Sequence, residues 1–269
     1  MEAIRAGADE RRRQRPRAAA GGAAARSAAL GSLIAHSRRL AWDALRNVRD
    51  LGGLRCAGGV IRSGVLVRSS IMGALTPAGS AEIRAYGVRT VIDLRGPDEM
   101  TAVASPFGTA VVYRNVRVDG EQTLKLHEHA NAGTMALQLA DLARPGSGLR
   151  AALAAIASAT PAIVVHCQAG RDRTGIVVAL LLAALGVADD DIVADHCASD
   201  AELVDEYARF RAEHPEIAAD MAERQERRAW VMGELLSTLR AEHGGGTAYL
   251  EHIGVLPEDI RRLRGLLVG

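Results

Sequence analysis

The sequence predicts an α/β fold: a mostly parallel central sheet flanked by helices, followed by a helical C-terminal part. Three observations predict it. β-rich stretches alternate with helix-like ones between Ile61 and Gly186, the pattern of a parallel sheet covered on both faces. "PAIVVHC" (Pro161–Cys167) is a continuous apolar run, as expected of a strand buried on both sides. After Gly186 only helical patterns remain.

The elements follow in order. Residues 1–27 are an arginine-, alanine- and glycine-rich stretch, read as a disordered tail; residues 28–269 form a single domain. "IRSGVLVRSS" (Ile61–Ser70) is β-rich and follows a Gly58-Gly59 turn. "LTPAGSAEIRAYG" (Leu75–Gly87) has an early proline and a terminal glycine, the start and stop of a helix. "RTVIDLRG" (Arg89–Gly96) and "AVVYRNVRV" (Ala110–Val118) read as strands. "RTGIVVALLLAALG" (Arg173–Gly186) reads as a mostly buried helix. Helices are then expected at Asp189–His196, Ala201–His214, Ile217–Glu242 with breaks, and Pro257–Leu267. "EHGGGTAY" (Glu242–Tyr249) separates the last of them.

The bulk properties exclude several classes. Net charge is +1, which gives no electrostatic case for nucleic acid or a membrane surface. The longest apolar run, Ile176–Leu185, is too short to cross a bilayer. The basic N-terminus lacks the apolar core of a secretory signal. Cys56, Cys167 and Cys197 are widely spaced, which reads as reduced thiols in a cytoplasmic protein. His127 and His129 stand two apart with no completing ligand set, so no metal site is expected.

The chemistry concentrates in "HCQAGRDRTG" (His166–Gly175). A tight loop opening into a helix can turn successive N–H groups inward, forming a nest for an anion at the positive end of the helix. Cys167 lies at the base of that nest, where donors favour its thiolate. Arg173 supplies a planar fork for two phosphoryl oxygens. Gly170 lets the loop turn, and Gly175 allows close packing at the helix start. A nucleophile, a tetrahedral-anion cradle and a fixed cation together suit attack on a phosphate monoester.

This loop resembles the signature of the cysteine-dependent protein tyrosine and dual-specificity phosphatases. "RNVRDLGG" (Arg46–Gly53), "VLVRSS" (Val65–Ser70), "VIDLRGPDE" (Val91–Glu99) and "YLEHIGVLPEDIRRLRGLL" (Tyr249–Leu267) are similar to the atypical bacterial branch that includes the mycobacterial tyrosine and phosphoinositide phosphatase. The resemblance implies a single phosphatase domain over 28–269. It implies that Cys167 is the nucleophile and forms a phosphocysteine. Arg173 would bind the phosphoryl oxygens, and Thr174 would hydrogen-bond the sulfur. His166 would fix the loop, with Arg49 as a further supporting residue. The N–H groups of Gln168, Ala169, Gly170, Arg171, Asp172 and Arg173 would cradle the phosphoryl group. No metal or organic cofactor is implied. Substrates would be phosphorylated proteins or small phosphorylated metabolites.

The general acid is left between Asp172 and Asp119. Asp172 is equally read as a helix N-cap, and Asp119 as a strand-end turn residue. Arg171, Val48, His196 and Asp200 depart from the branch, which commonly has Lys, Phe, Tyr and Asn there. With Val48 lining the pocket and Arg49 and Arg171 charging its rim, an open, aromatic-poor site is expected to favour compact or multiply charged phosphates. Asp93 and Arg95 are read as a buried network beneath the loop, as are Arg49 and Asp50 with Arg49 nearer the pocket, and Arg68 as a packing or ion-pair residue. Cys56 and Cys197 are read as ordinary thiols. Two other function classes fit less well. A phosphate-reading binding module need not keep the nucleophile, and thiol redox chemistry gives no reason for Arg173.

Overall fold

The computed structural model describes residues 38–73, 75–99, 110–118, 144, 147–219, 222 and 228–269. Seven strands and eight helices are built from them. In chain order they are β1 (Arg49–Asp50), β2 (Arg55–Cys56), β3 (Gly59–Val60), β4 (Leu66–Ser69), α1 (Pro77–Tyr86), β5 (Thr90–Asp93), β6 (Val112–Asn115), α2 (Leu149–Ala157) and β7 (Ile163–His166). The helical part follows as α3 (Asp172–Leu185), α4 (Asp189–Glu202), α5 (Val204–Glu213), α6 (Arg228–His243), α7 (Gly246–His252) and α8 (Pro257–Leu267). The tail, Asp119, His127 and His129 lie outside the described residues.

The central sheet runs β1-β4-β7-β5-β6. β4, β7, β5 and β6 are parallel, and only the short edge strand β1 is antiparallel. The α/β expectation therefore holds. Every residue of β4, β5 and β7 is buried, which explains why "IVVH" shows no alternation in sequence. Successive side chains still point to opposite faces. Ile163, Val165, Leu66 and Ile92 enter the larger core with α2 and α3. Val164, Val67 and Val91 enter a smaller one with Trp42, Val48, Met72 and Ile83 of α1.

Local chemistry sets the helix ends. Thr76 caps α1 by accepting from the Gly79 N–H at 3.1 Å, Pro77 follows it, and Gly87 ends the helix at φ 88°. Such a left-handed stop favours glycine. α3 is buried all round except at Asp172 and Ala183, because α2, α4 and α7 pack about it. Gly186 closes it at φ 78°.

The boundaries differ from expectation in several places, among them α7, which begins inside the stretch expected to separate the last helices. α4 continues to Glu202 rather than stopping near His196. The strand expected over 110–118 pairs only at Val112–Asn115. The edge strand β1 falls in a stretch whose sequence gives no strand pattern. Its residues are fixed by buried polar contacts rather than by apolar alternation.

Val48 does not line a pocket. It is 2% exposed and sits in the smaller core. Val48→Phe is therefore expected to overpack that core, costing about 1–3 kcal/mol in chemical denaturation, and to leave substrate preference unchanged.

Candidate active site

β7 delivers His166 and Cys167 to the carboxyl end of the sheet, where ligands bind in open α/β folds. The loop then turns into α3, whose first residue is Asp172. Gly170 has φ 67°, and a Cβ there would lie 2.1 Å from the Ser69 carbonyl oxygen, so the loop can press on the end of β4 only as glycine. A Cβ on Gly175 would meet the His196 ring at 2.7 Å, so α3 and α4 approach only because that position is bare.

The carbonyls of three successive loop residues bond to the protein body, and the next one starts the ladder of α3. Gln168 O accepts from the Ile71 N–H at 2.8 Å. Ala169 O and Gly170 O accept from the Asn47 amide at 2.9 and 3.1 Å. Gly170 O also accepts from Arg68 at 2.9 Å, and Arg171 O accepts from the Gly175 N–H at 2.8 Å. In a trans peptide the C=O and N–H point opposite ways, so the N–H groups of Ala169, Gly170 and Arg171 aim away from the body. In sequence they run on into the first N–H groups of α3, which have no intrahelical acceptor. Asn47 reaches the loop from a left-handed backbone, φ 54°, a conformation that asparagine tolerates.

Arg173 sits one residue into α3. Both of its terminal nitrogens are held by the Glu99 carboxylate, one at 2.6 Å. That bidentate bond holds the Glu99 carboxyl below its ordinary range. Glu99 ends a single turn of 3₁₀ helix, Pro97–Glu99.

Cys167 is 3% exposed. Its carbonyl lies 3.0 Å from His166 Nδ1. A carbonyl only accepts, so Nδ1 carries the proton. His166 Nε2 lies 3.8 Å from Asp93 Oδ2. Burial pushes the His166 pKa down, against the pull of Asp93, so the ring is neutral near pH 7. Burial would raise the Asp93 carboxyl, but Arg95 at 2.7 Å and the Tyr113 hydroxyl outweigh it and hold it low. The network expected from Asp93 and Arg95 thus lies directly behind His166.

A second network joins β1, β4 and α4. Asp195 accepts from Arg38 at 2.8 Å, Arg49 at 3.0 Å and Arg68 at 2.6 Å. Burial alone would raise this carboxyl; the three guanidiniums hold it well below the ordinary value. Arg49 also donates to Asn47 Oδ1 and Ser199 Oγ. At 2% exposure it is committed to this network, as its network reading expects, and adds no charge to a pocket rim, which corrects the expectation that it would.

A described model of the tyrosine phosphatase family matches residues 40–269. The chain belongs to the tyrosine phosphatase family. It is 35% identical over 170 residues to a predicted tyrosine-protein phosphatase of Cupriavidus necator, covering 60% of this chain and 62% of that relative. It is 29% identical over 228 residues to a tyrosine-protein phosphatase of Nostoc commune, covering 78% and 76%. It is 28% identical over 272 residues to the triple specificity protein phosphatase PtpB of Mycobacterium tuberculosis, covering 83% and 96%. The resemblance carried by the signature loop is borne out, and a binding module without turnover is disfavoured.

The remaining site residues of this tyrosine phosphatase fall as follows. Thr174 is fully buried and its hydroxyl bonds to nothing among the described residues, so the expected bond to sulfur is absent here. Asp172 is the first residue of α3 rather than its cap, with its carboxylate 3.4 Å from Arg171. The Arg171 side chain turns beneath α5, its guanidinium carbon 5.6 Å from the Tyr207 ring centre. Arg228 of α6 lies 4.9 Å from the same centre, and Asp200 pairs with both arginines. Cys56, Cys167 and Cys197 are free thiols, and burial pushes Cys197 up.

Glu99, Asn47, Asp195 and Arg228 were not singled out from sequence. Glu99, Asn47 and Asp195 each lay in a stretch marked for other reasons. The missing signal is the partner, which lies 74 residues away for Glu99, 122 for Asn47 and 157 for Asp195.

Removing one side of a buried ion pair costs about 3–5 kcal/mol, and Asp195→Ala is expected to lose that much in urea unfolding. The folded pKa of Asp195 lies below its unfolded value, so its stabilisation is present above the ordinary carboxyl pKa and fades as pH falls below it. The difference in stability between wild type and Asp195→Asn should therefore shrink on acidification below about pH 4.

Proposed function

We propose that this tyrosine phosphatase hydrolyses phosphate monoesters in two steps through a phosphocysteine on Cys167. The observation that carries the reading is the inward bonding of the loop carbonyls just after Cys167, which leaves the loop N–H groups for an anion, together with the Arg173 fork held by Glu99. Three equatorial phosphoryl oxygens need such a preorganised set of donors. Arg173 would bind two of them while Glu99 keeps its plane from rotating.

In the first step the Cys167 thiolate attacks phosphorus, the S–P bond forms and the P–O bond to the leaving group breaks. Asp172 would give that oxygen its proton. It stands at the loop rim, 19% exposed, where a leaving group passes. In the second step water attacks phosphorus, Asp172 takes its proton and the thiolate departs. Asp119, outside the described residues, is the other candidate acid, and the same experiment separates them. The buried Thr174 hydroxyl would rotate to meet the departing sulfur. No step calls for a metal or organic cofactor.

The substrate class we favour is phosphotyrosine protein. The two observations needed for a preference for compact phosphates have moved: Val48 is in the core and Arg49 is in a buried network. Family membership and a site at the sheet's carboxyl edge support the tyrosine reading. We assign the enzyme to the cytoplasm as a single domain over 28–269. Free cysteines and a family match over 40–269 support this, and no helix among the described residues is long and apolar enough to cross a membrane.

Cys167→Ser is expected to abolish hydrolysis of p-nitrophenyl phosphate while still capturing a phosphotyrosine peptide. Turnover near wild type would sink the covalent route. Arg173→Lys should be nearly as damaging as Arg173→Ala, because an ammonium cannot hold two oxygens and Glu99 in one plane.

Asp172→Asn should slow an alkyl phosphate by about 10²–10⁴ and an aryl phosphate with a weakly basic leaving group far less. If Asp119→Asn shows that pattern instead, Asp119 is the acid. Equal loss on both esters would mark a residue as structural.

A further inference from the structure

We propose that Arg68, on β4 and outside the signature loop, is the positioning residue that shapes the loop into an anion cradle and supplies the fixed positive charge behind Cys167. This rests on the phosphocysteine reading of the site and adds to it a residue that acts through other groups rather than on substrate.

Placement comes first. Arg68 pairs in register with Val165 of β7, two residues before Cys167. Its neighbours Val67 and Leu66 enter the small and large cores in turn, so Arg68 projects to the α3 side of the sheet, beneath the loop. It is 1% exposed. One terminal nitrogen donates to Asp195 at 2.6 Å and the other to Gly170 O at 2.9 Å. It therefore ties the loop peptide to a fixed carboxylate on α4. A Cβ on Gly175 would lie 3.5 Å from the Arg68 nitrogen, an ordinary contact distance, so the guanidinium packs directly against the first turn of α3.

Charge gives the second argument. Three guanidiniums, those of Arg38, Arg49 and Arg68, converge on one carboxylate, and three positive charges less one negative leave a formal excess of two. Burying cations without countercharge is costly. Arg68 stands on the strand beside β7, in register two residues before Cys167, and bonds the loop at Gly170 O, so a thiolate at Cys167, and then a phosphoryl dianion, would supply the missing negative charge. Burial and Arg49 push Arg68 down to about 10, still cationic at neutral pH. Among the described residues, Arg173 on α3 interacts electrostatically with Cys167, and the neutral His166 ring on β7 adjoins its carbonyl with Asp93 of β5 behind.

The test uses the full chain as wild type, Arg68→Met and Arg68→Lys. Three quantities are read: hydrolysis of p-nitrophenyl phosphate, inhibition by inorganic phosphate, and the pH midpoint of Cys167 alkylation by neutral iodoacetamide, with the cysteines separated by peptide mapping. A cation near a thiol favours the thiolate, so its loss raises the midpoint. For Arg68→Met we expect a midpoint about one pH unit higher and a phosphate Ki raised roughly tenfold through loss of the carbonyl bond. For Arg68→Lys, which keeps the charge but cannot reach both Asp195 and Gly170, we expect a midpoint near wild type and a raised Ki.

A folded Arg68→Met with wild-type midpoint and Ki overturns the proposal. If Arg68→Met does not fold, Arg68→Lys decides: an unchanged Ki overturns the loop-shaping role, and a midpoint raised by a full unit overturns the charge role. A wild-type protein that does not hydrolyse the ester overturns the phosphocysteine reading instead, and the alkylation midpoint, which needs no turnover, tells the two failures apart.

Discussion

A loop that offers its N–H groups to an anion must place the opposite ends of the same peptides elsewhere. Three carbonyls, from Gln168 to Gly170, have to be satisfied by the protein body, while that of Arg171 opens the hydrogen-bond ladder of α3. An unpaired buried carbonyl costs about 1–3 kcal/mol, so the cradle exists only if donors wait behind it. Much of the surrounding structure meets that requirement. Asn47 is held in a left-handed backbone with its amide toward the loop, Arg49 holds Asn47, and Asp195 holds Arg49 and Arg68. The edge strand β1, which carries Arg49, is placed by these polar contacts more than by apolar burial.

The same arrangement sorts charge by depth. Arginines on one side of the loop converge on a single aspartate, while on the other side Asp93 stands behind a neutral His166 with Arg95 and Tyr113 around it. The first network leans positive and the second is close to balanced. His166 can then donate to the Cys167 carbonyl as a neutral ring without setting a fixed positive charge against Asp93. Arg173 is neutralised by Glu99 in plane yet remains a guanidinium, so its remaining donor edge keeps direction without a large unpaired charge at the rim.

What could be read from sequence followed from locality. The signature loop, its strand and its helix are contiguous, and residue identity, spacing and the apolar runs on each side all agree. The α1 helix was legible because Thr76, Pro77 and Gly87 are local signals. The partners were not legible: Glu99 and Arg173 are 74 residues apart, and Asp195 and Arg38 are 157 apart. Charged residues of this kind have no periodicity, and a buried arginine looks the same in sequence as an exposed one. Val48 and Arg49 were misplaced for that reason. Adjacent residues in "RNVRD" were assigned to a pocket, when strand geometry sends one into a core and the other into an ion network.

The helices after α3 belong to the site as much as the sheet does. Asp195 lies on α4, and so does Asp200, which bridges Arg171 to Arg228 on α6 beside Tyr207 on α5. Two like charges share one ring and one carboxylate there. Burial and the nearby Arg171 lower Arg228 to about 9, a measure of how closely the arrangement is held. Arg171 is part of the loop backbone, so any shift of α5 or α6 acts on the row of N–H groups through it. The sheet and the residues behind the loop carbonyls fix where the loop stands; the C-terminal helices hold the Arg171 side chain that branches from it.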